Sequence, residues 1–417
     1  MNLPERLTRG PGRKAVGAIV NVGSIVTGDI DKPESSADTI LIKDGIIHEV
    51  GSWDRLPTLE PGSYVLDAQG QQVAPGLIDS HVHPVVGDWA PKLNVIGWLR
   101  SYGHAGVTTV LSQGSWIDGY PRDAQGMVAV AIALQRHFVA ARLELKVHGS
   151  SVSIVEGLER SHFEQLAAEG IWLIAEIGVR SLTDVSAIRE ILHVARDFGF
   201  VSRVHFGPES VPGTSTITAQ AAVAIGADIA SHVNGGPTSP PLEQIDYLMD
   251  NAACWLELSP TGNHHSLLHT VRRAKERGSA HRLILGTDTP TGFGVLPRAL
   301  LQTVALVASS GGYSGAQAFS MATGNTARAY GLNTGLIAPG READLLIIDA
   351  PVGSRAHSAT EAVESGDIPA VAMVVVDGTF ADPPYVNSIP GKRGVQVTPM
   401  DEVGRSQSAG DPFDDHA

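Results

Sequence analysis

The 417-residue sequence has little of what marks secreted, membrane or nucleic-acid-binding proteins. Its one cysteine, Cys254, excludes disulfides within the chain and favours a reducing setting. Basic residues number 30 against 44 acidic ones, and the net charge of −14 argues against nucleic acid or an anionic membrane as a partner. There is no run of about 18 apolar residues, and the first residues lack the apolar stretch of a signal peptide. We therefore expect a cytoplasmic protein with no membrane partner.

The two ends of the chain share a pattern of short alternating strands. Examples are 17-GAIVNVGSIVTG-28 and 39-TILIKDGIIHEVG-51 near the start, and 335-GLIAPGREADLLIID-349 near the end. Gly, Asp and Pro turns join these runs, and residues 15–72 contain no helix-length periodic segment. The pattern predicts one small β domain built from residues 15–74 and 331–387. Residues 1–14 are expected to be a flexible N-terminus, and residues 388–417 an extended arm or a disordered tail.

The middle of the chain, residues 75–330, alternates between two patterns. Helix-like segments such as 184-DVSAIREILHVARDFG-199 carry apolar residues at helical spacing, with Asp184 as a start signal and Gly199 as a stop. Between such segments lie eight apolar, strand-like runs: 77–83, 107–114, 143–149, 171–178, 201–207, 228–234, 254–260 and 282–288. This count and order predict an α/β protein with a (β/α)8 TIM barrel.

Polar residues that can bind metals stand at or near the carboxyl ends of these runs, where barrel enzymes place their active sites. In 77-LIDSHVH-83 two histidines share one face, because residues i and i+2 of a strand point the same way. Glu176 lies inside the apolar run 171-IWLIAEIG-178, where an unpaired carboxylate would cost several kcal/mol. The six candidate ligands are His81, His83, Glu176, His205, His232 and Asp288.

Four imidazoles with two carboxylates suit zinc or another first-row divalent ion better than calcium or magnesium. The predicted arrangement has one ion on His81, His83 and Asp288, a second on His205 and His232, and Glu176 between them. A water between two such ions would be ionised near neutral pH and could attack an amide-like carbonyl. Asp288 would act as the proton shuttle to the leaving nitrogen. The predicted reaction is therefore hydrolysis of an amide-like bond.

Two motifs, 76-GLIDSHVH-83 and 335-GLIAPGREADLLIID-349, closely resemble the amidohydrolase superfamily, in its hydantoinase-like branch. Further runs, such as 231-SHVNGGPTS-239 and 286-GTDTPTGFGVLP-297, resemble the members that open cyclic enamides. The resemblance implies a barrel with a small β-sandwich, a homotetramer, and a binuclear centre of zinc and/or iron on the same six ligands. It also implies a small cyclic amide as substrate, most specifically a cyclic enamide of the 6-oxo-tetrahydronicotinate type, opened with release of ammonia.

Departures from the family pattern leave several residues open. Many amidohydrolases bridge their metals with a carboxylated lysine, and Lys146 is the alternative to Glu176, or else a structural lysine paired low in the barrel. His148, on the same face of that strand, could contact the substrate or the surroundings of the metals, or could fill a hydrogen-bonded core position.

Four further residues are candidate substrate contacts. Arg180 and Arg122 could each pair with a substrate carboxylate or simply face solvent. Asn234 and Gly235 follow His232, and the glycine could let a backbone N–H approach a ligand or could form a tight turn. His264 and His265 are read as polar loop residues.

Three other functions share features with this sequence. A hydantoinase or dihydropyrimidinase would use the same metal chemistry. A related deaminase would need a glutamate three residues after the fifth-strand histidine, whereas 205-HFGPE-209 has one four residues on. A non-catalytic scaffold of the same fold should lack some of the six ligands, and all six are present.

Overall fold

The fold is that of a computed structural model, which describes residues 13–53, 56–57, 59–84, 95–114, 122–141, 143–210, 213–290, 294–381 and 389–402. Most of the predicted N-terminal segment (1–12) and part of the predicted tail (388 and 403–417) lie outside the described residues. Within these ranges, no helix combines the length and the apolar character that a membrane span requires.

Strands and helices alternate between residues 77 and 330, as the middle of the sequence predicts, whereas the described residues from 14 to 75 form strands and no helix. The strands are β1 (Lys14–Val20), β2 (Ser24–Val26), β3 (Glu34–Ser35), β4 (Thr39–Lys43), β5 (Ile46–Gly51), β6 (Tyr64–Asp67), β7 (Gln72–Pro75), β8 (Leu77–Val82), β9 (Val107–Ser112), β10 (Lys146–His148), β11 (Arg203–His205), β12 (Ile229–Ser231), β13 (Trp255–Leu258), β14 (Leu283–Leu285), β15 (Leu345–Asp349), β16 (Ala370–Val376), β17 (Thr379–Phe380) and β18 (Gln396–Pro399). The helices are α1 (Val95–His104), α2 (Ala124–Ala141), α3 (Arg160–Ala168), α4 (Val185–Arg196), α5 (Ala219–Ile225), α6 (Leu242–Asn251), α7 (His264–Glu276), α8 (Ala299–Gly311), α9 (Gly315–Met321), α10 (Gly324–Tyr330) and α11 (Ala359–Glu364), with a 3-10 turn at Ala280–Arg282.

Strands from both ends of the chain form one sheet of eleven strands, β1–β7 together with β15–β18. The two ends meet where β15 lies between β7 and β16, antiparallel to both. Alternate residues of these strands form a separate hydrophobic core that includes Ile25, Leu66, Leu345 and Val375. β18 pairs with β6, so this part of the predicted arm is an added edge strand. The N-terminal strand begins at Lys14, one residue inside the segment expected to be flexible.

The middle of the chain curls into a closed set of parallel strands. β8, β9 and β10 pair in one group, and β11, β12, β13 and β14 in another. Isolated bridges close the ring at the two gaps between these groups. At one gap Val82 pairs with Thr289. At the other, Val152 pairs with Ile174 and Leu173 pairs with Val201. The fold-class prediction of a TIM barrel is thereby confirmed, together with a structural match given below.

The fourth predicted strand, 171–178, differs from the expectation. It pairs only through isolated bridges, from Ile174 to Val152 on one side and from Leu173 and Ile177 to the next strand on the other. The backbone turns back immediately, since the N–H of Val179 donates to the carbonyl of Glu176 at 3.2 Å. Too few consecutive residues therefore pair to make a regular ladder, although Glu176 still points into the barrel mouth.

Helices cover the outside of the barrel. The predicted helix at 184–199 is present as α4, which begins where the Asp184 carboxylate accepts a hydrogen bond from the Ala187 N–H at 2.8 Å. Its buried face consists of Ile188, Leu192 and Ala195, at the helical spacing on which the prediction rested. The packing of this buried face against the barrel therefore helps to fix the positions of the strands and of their carboxyl ends.

Candidate metal centre

His81 and His83 project from the end of β8 into the barrel mouth. Their Nε2 atoms lie 3.1 Å apart, which the shared face of the strand predicts. The Nδ1–H of His83 donates to the carbonyl of Gly114 at 2.7 Å, so its Nε2 carries the lone pair that can bind a metal. His81 is completely buried.

Asp288 joins the two histidines from the other side of the ring closure. Its Oδ1 lies 3.1 Å from Nε2 of His83 and 3.5 Å from Nε2 of His81. Its backbone is left-handed, with φ of 55°, and its N–H donates to the carbonyl of His81 at 2.8 Å. An aspartate tolerates this conformation better than most residues, and here it turns the carboxylate towards the histidines.

Glu176 lies between this group and a second pair of histidines. Its Oε2 is 3.8 Å from Nε2 of His81, while its Oε1 is 2.7 Å from Nε2 of His232 and 3.6 Å from Nδ1 of His205. The Nε2 of His205 lies 3.2 Å from the carbonyl of Pro208, to which it can donate, leaving Nδ1 as the ligand atom. All three side chains are buried.

The donor atoms form two groups that could each hold a cation, His81–His83–Glu176 and Glu176–His205–His232. Glu176 belongs to both, which is the position of a bridging carboxylate. Among the described residues, the buried Nδ1 of His205 has no hydrogen-bond partner, and the buried Oε1 of Glu176 has only Nε2 of His232 within hydrogen-bond distance, at 2.7 Å. Such atoms are costly unless something coordinates them, so the residues fit a pair of divalent cations.

The histidines and carboxylates of the cluster shift each other's pKa values. Burial alone would raise the pKa of Glu176, but the imidazoles of His232 and His81 hold it well below its usual range. Burial would lower the pKa of His232, but the facing Glu176 carboxylate raises it to about 9. For Asp288, burial is likewise outweighed, and the surrounding histidines lower the pKa below its ordinary value. Both carboxylates are therefore ionised at neutral pH.

A buried charged network behind His81 escaped the sequence analysis. Glu257 Oε1 lies 2.7 Å from Nδ1 of His81, and Arg203 Nη1 lies 2.9 Å from Glu257 Oε2. Asp79 accepts hydrogen bonds from the Thr287 N–H at 2.9 Å and the Thr287 hydroxyl at 2.6 Å. A signal was available, because Glu257 and Arg203 interrupt the apolar runs 254–260 and 201–207 just as Glu176 interrupts its own.

Lys146 is far from a bridging role in this structure. Its Nζ lies 2.6 Å from Glu342, 2.8 Å from Asp344 and 2.7 Å from Asp377, at the start of β10. Burial lowers its pKa, but these three carboxylates more than reverse that effect and raise it. The structure thus agrees with the paired, structural interpretation of this lysine.

His148 belongs to neither metal-binding group. Its ring packs edge-on against Trp172 with centroids 5.2 Å apart. Burial, together with the positive charge of Lys146, lowers its pKa to about 4, so it is neutral at pH 7. This environment suits a core position, and a substrate contact remains only a prediction.

The other candidate substrate residues differ in burial and in contacts. Arg180 is half-buried with a left-handed φ of 46°, and its N–H donates to the carbonyl of Gly213 at 2.9 Å. Arg122 is exposed. The side-chain amide of Asn234 donates to the carbonyl of Ser259 at 2.8 Å and accepts from its N–H at 2.9 Å. These substrate contacts stay predictions.

Backbone geometry explains two further positions. Gly235 has φ of 75°, and a Cβ there would lie 2.2 Å from the carbonyl oxygen of Thr238, so this glycine forms a tight turn. His264 and His265 are the exposed first residues of α7, where the Asn263 side chain caps the helix. This placement agrees with their interpretation as polar residues outside the metal centre.

Comparisons with known proteins agree with the geometry. A sequence model of the amidohydrolase family matches residues 72–381. Enamidase from Eubacterium barkeri is 38% identical over 381 residues, which cover 91% of this chain and 98% of that protein. A crystal structure of enamidase, described as a member of the amidohydrolase superfamily, superposes with a TM-score of 0.86 at 38% identity, covering 91% of this chain and 99% of that one.

The barrel is also shared with distant proteins. A structure of D-hydantoinase matches with a TM-score of 0.63 at 16% identity, over 90% of this chain and 97% of that one. At this level of identity the match concerns the fold alone.

Proposed function

The chain belongs to the amidohydrolase family, and on that premise we propose that it is a metal-dependent hydrolase that opens the C–N bond of a cyclic enamide. The observation that carries the proposal is the 38% identity to enamidase over 91% of the chain, combined with a cluster in which two potential metal-binding groups share Glu176. The substrate proposed is a six-membered cyclic enamide of the 6-oxo-tetrahydronicotinate type.

The proposed ligands are the six residues predicted from the sequence: His81, His83, Glu176, His205, His232 and Asp288. The nitrogen-rich donor set supports zinc and/or iron over calcium or magnesium. When bound, two such cations would polarise the amide carbonyl and lower the pKa of a nearby water.

Asp288 supplies the proton transfer in this proposal. Its ionised carboxylate can take a proton from the attacking water and pass it to the ring nitrogen as the C–N bond breaks. The products are a carboxylate and an enamine. A second water then converts the enamine into an aldehyde and ammonia, which balances the reaction.

The position of Glu209 argues against the deaminase alternative. A deaminase of this family type would need an acid beside the fifth-strand histidine, yet the Glu209 side chain is exposed and its N–H donates to the hydroxyl of Thr216. Among the described residues, no other glutamate follows His205 before the next strand. A ureide hydrolase shares the metal chemistry and is separated from an enamidase by the experiment below.

A homotetrameric assembly and a cytoplasmic location complete the proposal. The tetramer is supported by the resemblance to the family members that open cyclic enamides, and light scattering of the purified protein tests it. The location is supported by the single cysteine, Cys254, which suits a reducing compartment.

Turnover of a substrate panel tests the proposal. The zinc- or iron-loaded protein is assayed with a cyclic enamide, a saturated lactam, a hydantoin and a dihydropyrimidine. We expect ammonia and an aldehyde in equal amounts from the enamide alone. Faster opening of the hydantoin or dihydropyrimidine, without ammonia, would instead assign a ureide hydrolase.

A further inference from the structure

The Nδ1 atom of His81 has two buried neighbours of opposite hydrogen-bonding character. Glu257 Oε1 lies 2.7 Å away and can only accept a hydrogen bond, whereas Arg203 Nη1 lies 2.8 Å away and can only donate one. All three side chains are at most 1% exposed. Bulk solvent therefore does not reach these three side chains.

The choice of partner decides whether His81 can bind a metal. A neutral imidazole carries one N–H. If Nδ1 donates to Glu257, the Nε2 lone pair faces His83 and Asp288 and can coordinate a cation. If Nδ1 accepts from Arg203, Nε2 carries the hydrogen and coordination is blocked. His83 has no such ambiguity in its backbone contact, because the carbonyl of Gly114 can only accept.

The contacts of Arg203 allow both hydrogens of Nη1 to be used elsewhere. One can go to Glu257 Oε2 at 2.9 Å and the other to the hydroxyl of Ser231 at 3.3 Å. Its Nη2 donates to the carbonyl of Ser80 at 2.9 Å and also contacts the Tyr330 hydroxyl. Glu257 thus holds the guanidinium with one oxygen while the other oxygen accepts from His81.

We propose that Glu257 is the positioning residue that holds His81 in its metal-binding tautomer, and that it does so against Arg203. The inference rests on the proposed metal centre. Glycine at position 286 supports it sterically, since a Cβ there would lie 2.5 Å from Ser80 Oγ and 2.7 Å from Glu257 Oε2. Because Gly286 has no side chain, the Glu257 carboxylate has room beside His81.

We expect Glu257→Gln to change the tautomer of His81. The glutamine has the shape of glutamate but only one acceptor oxygen, and the charged guanidinium of Arg203 competes most strongly for it. The amide NH2 then faces Nδ1 of His81 and enforces the tautomer that cannot bind metal. Removing the guanidinium in the double variant Glu257→Gln/Arg203→Met frees the amide oxygen for the His81 N–H.

Zinc affinity of the full chain tests the inference. Chelator-treated wild type, Glu257→Gln, the double variant and the exposed control Glu243→Gln are titrated with zinc against a chromophoric competitor, and their apo-protein Tm values are compared. We expect Glu257→Gln to weaken binding of one zinc about 10–100-fold, and the double variant to recover most of that loss. The control should match wild type.

Two results would overturn the inference: unchanged zinc affinity in Glu257→Gln, or an equal loss in the single and double variants. The second would mean that Glu257 contributes charge alone. A wild-type chain that binds no zinc or iron would contradict the proposed function itself. This result differs from the two that would overturn only the inference about Glu257.

Discussion

The Nε2 atom of His83 lies 3.1 Å from Oδ1 of Asp288, although 205 positions separate these residues in the chain. His83 directly follows β8, the first strand of the barrel, and Asp288 lies in the turn after the last strand, β14. The closure of the ring therefore brings the two side chains together. Asp288 stands within reach of both β8 histidines, where a proton acceptor is needed.

Replacing Asp288 with asparagine should separate proton transfer from folding. The amide has nearly the same shape and keeps one oxygen, but it cannot take up a proton. We expect the fold and much of the metal to remain while kcat falls by about 10²–10⁴-fold. Ammonia release and metal analysis measure both effects, with the exposed Asp31→Asn as the matched control. A rate near that of wild type would remove Asp288 from the proton-transfer role.

Glu176→Gln should lower metal occupancy, because a neutral amide bridges two cations poorly. The expected result is loss of one or both cations from the purified protein, measured by plasma mass spectrometry. The exposed Glu49→Gln serves as the control and should retain the wild-type content. Full occupancy in Glu176→Gln would show that the bridge lies elsewhere.

Lys146→Met should affect stability rather than the metal centre. Removing the ammonium leaves Glu342, Asp344 and Asp377 without their shared cation, and breaking a buried ion pair costs about 3–5 kcal/mol. Denaturant unfolding measures this loss, and the exposed Lys43→Met should show almost none. Metal content of the folded fraction should be unchanged. If metal were lost in parallel with an intact fold, Lys146 would have to act at the centre.

Gly286→Ala tests the close approach behind His81. Its added Cβ would lie 2.7 Å from the His81 Cβ as well as against Ser80 and Glu257. We expect a loss of about 1–3 kcal/mol in the free energy of unfolding from overpacking, together with weaker zinc binding. Gly394→Ala is the control, since nothing lies within 4 Å of a Cβ at that position. Equal stability of the two variants would mean that the strands can separate without cost.

Much of the fold and the candidate ligand set could be predicted from local patterns. Apolar runs alternating with helical periodicity predict a barrel, and a barrel places strand ends at one rim. His81, His83, Glu176 and Asp288 each follow or interrupt such a run, so their convergence follows from the fold class. Family membership, which the comparisons confirm, rests on motifs at the two ends of the same segment.

The rest depended on contacts between distant strands. The irregular fourth strand follows from pairing on two sides, which a single run of residues does not encode. The competition between Glu257 and Arg203 for Nδ1 of His81 can be recognised only from distances between atoms on three different strands. Their charges in apolar runs do signal a buried pair, but the sequence does not indicate which atom each would face. The structural role of Lys146 likewise becomes clear only from its contacts with Asp344 and Asp377.

The most direct test of the binuclear centre is anomalous diffraction from crystals of the zinc-loaded protein. We expect two peaks at the barrel mouth, both about 2.0–2.2 Å from a carboxylate oxygen of Glu176, one beside His81 and His83 and the other beside His205 and His232. A single peak, or peaks that do not contact Glu176, would contradict it.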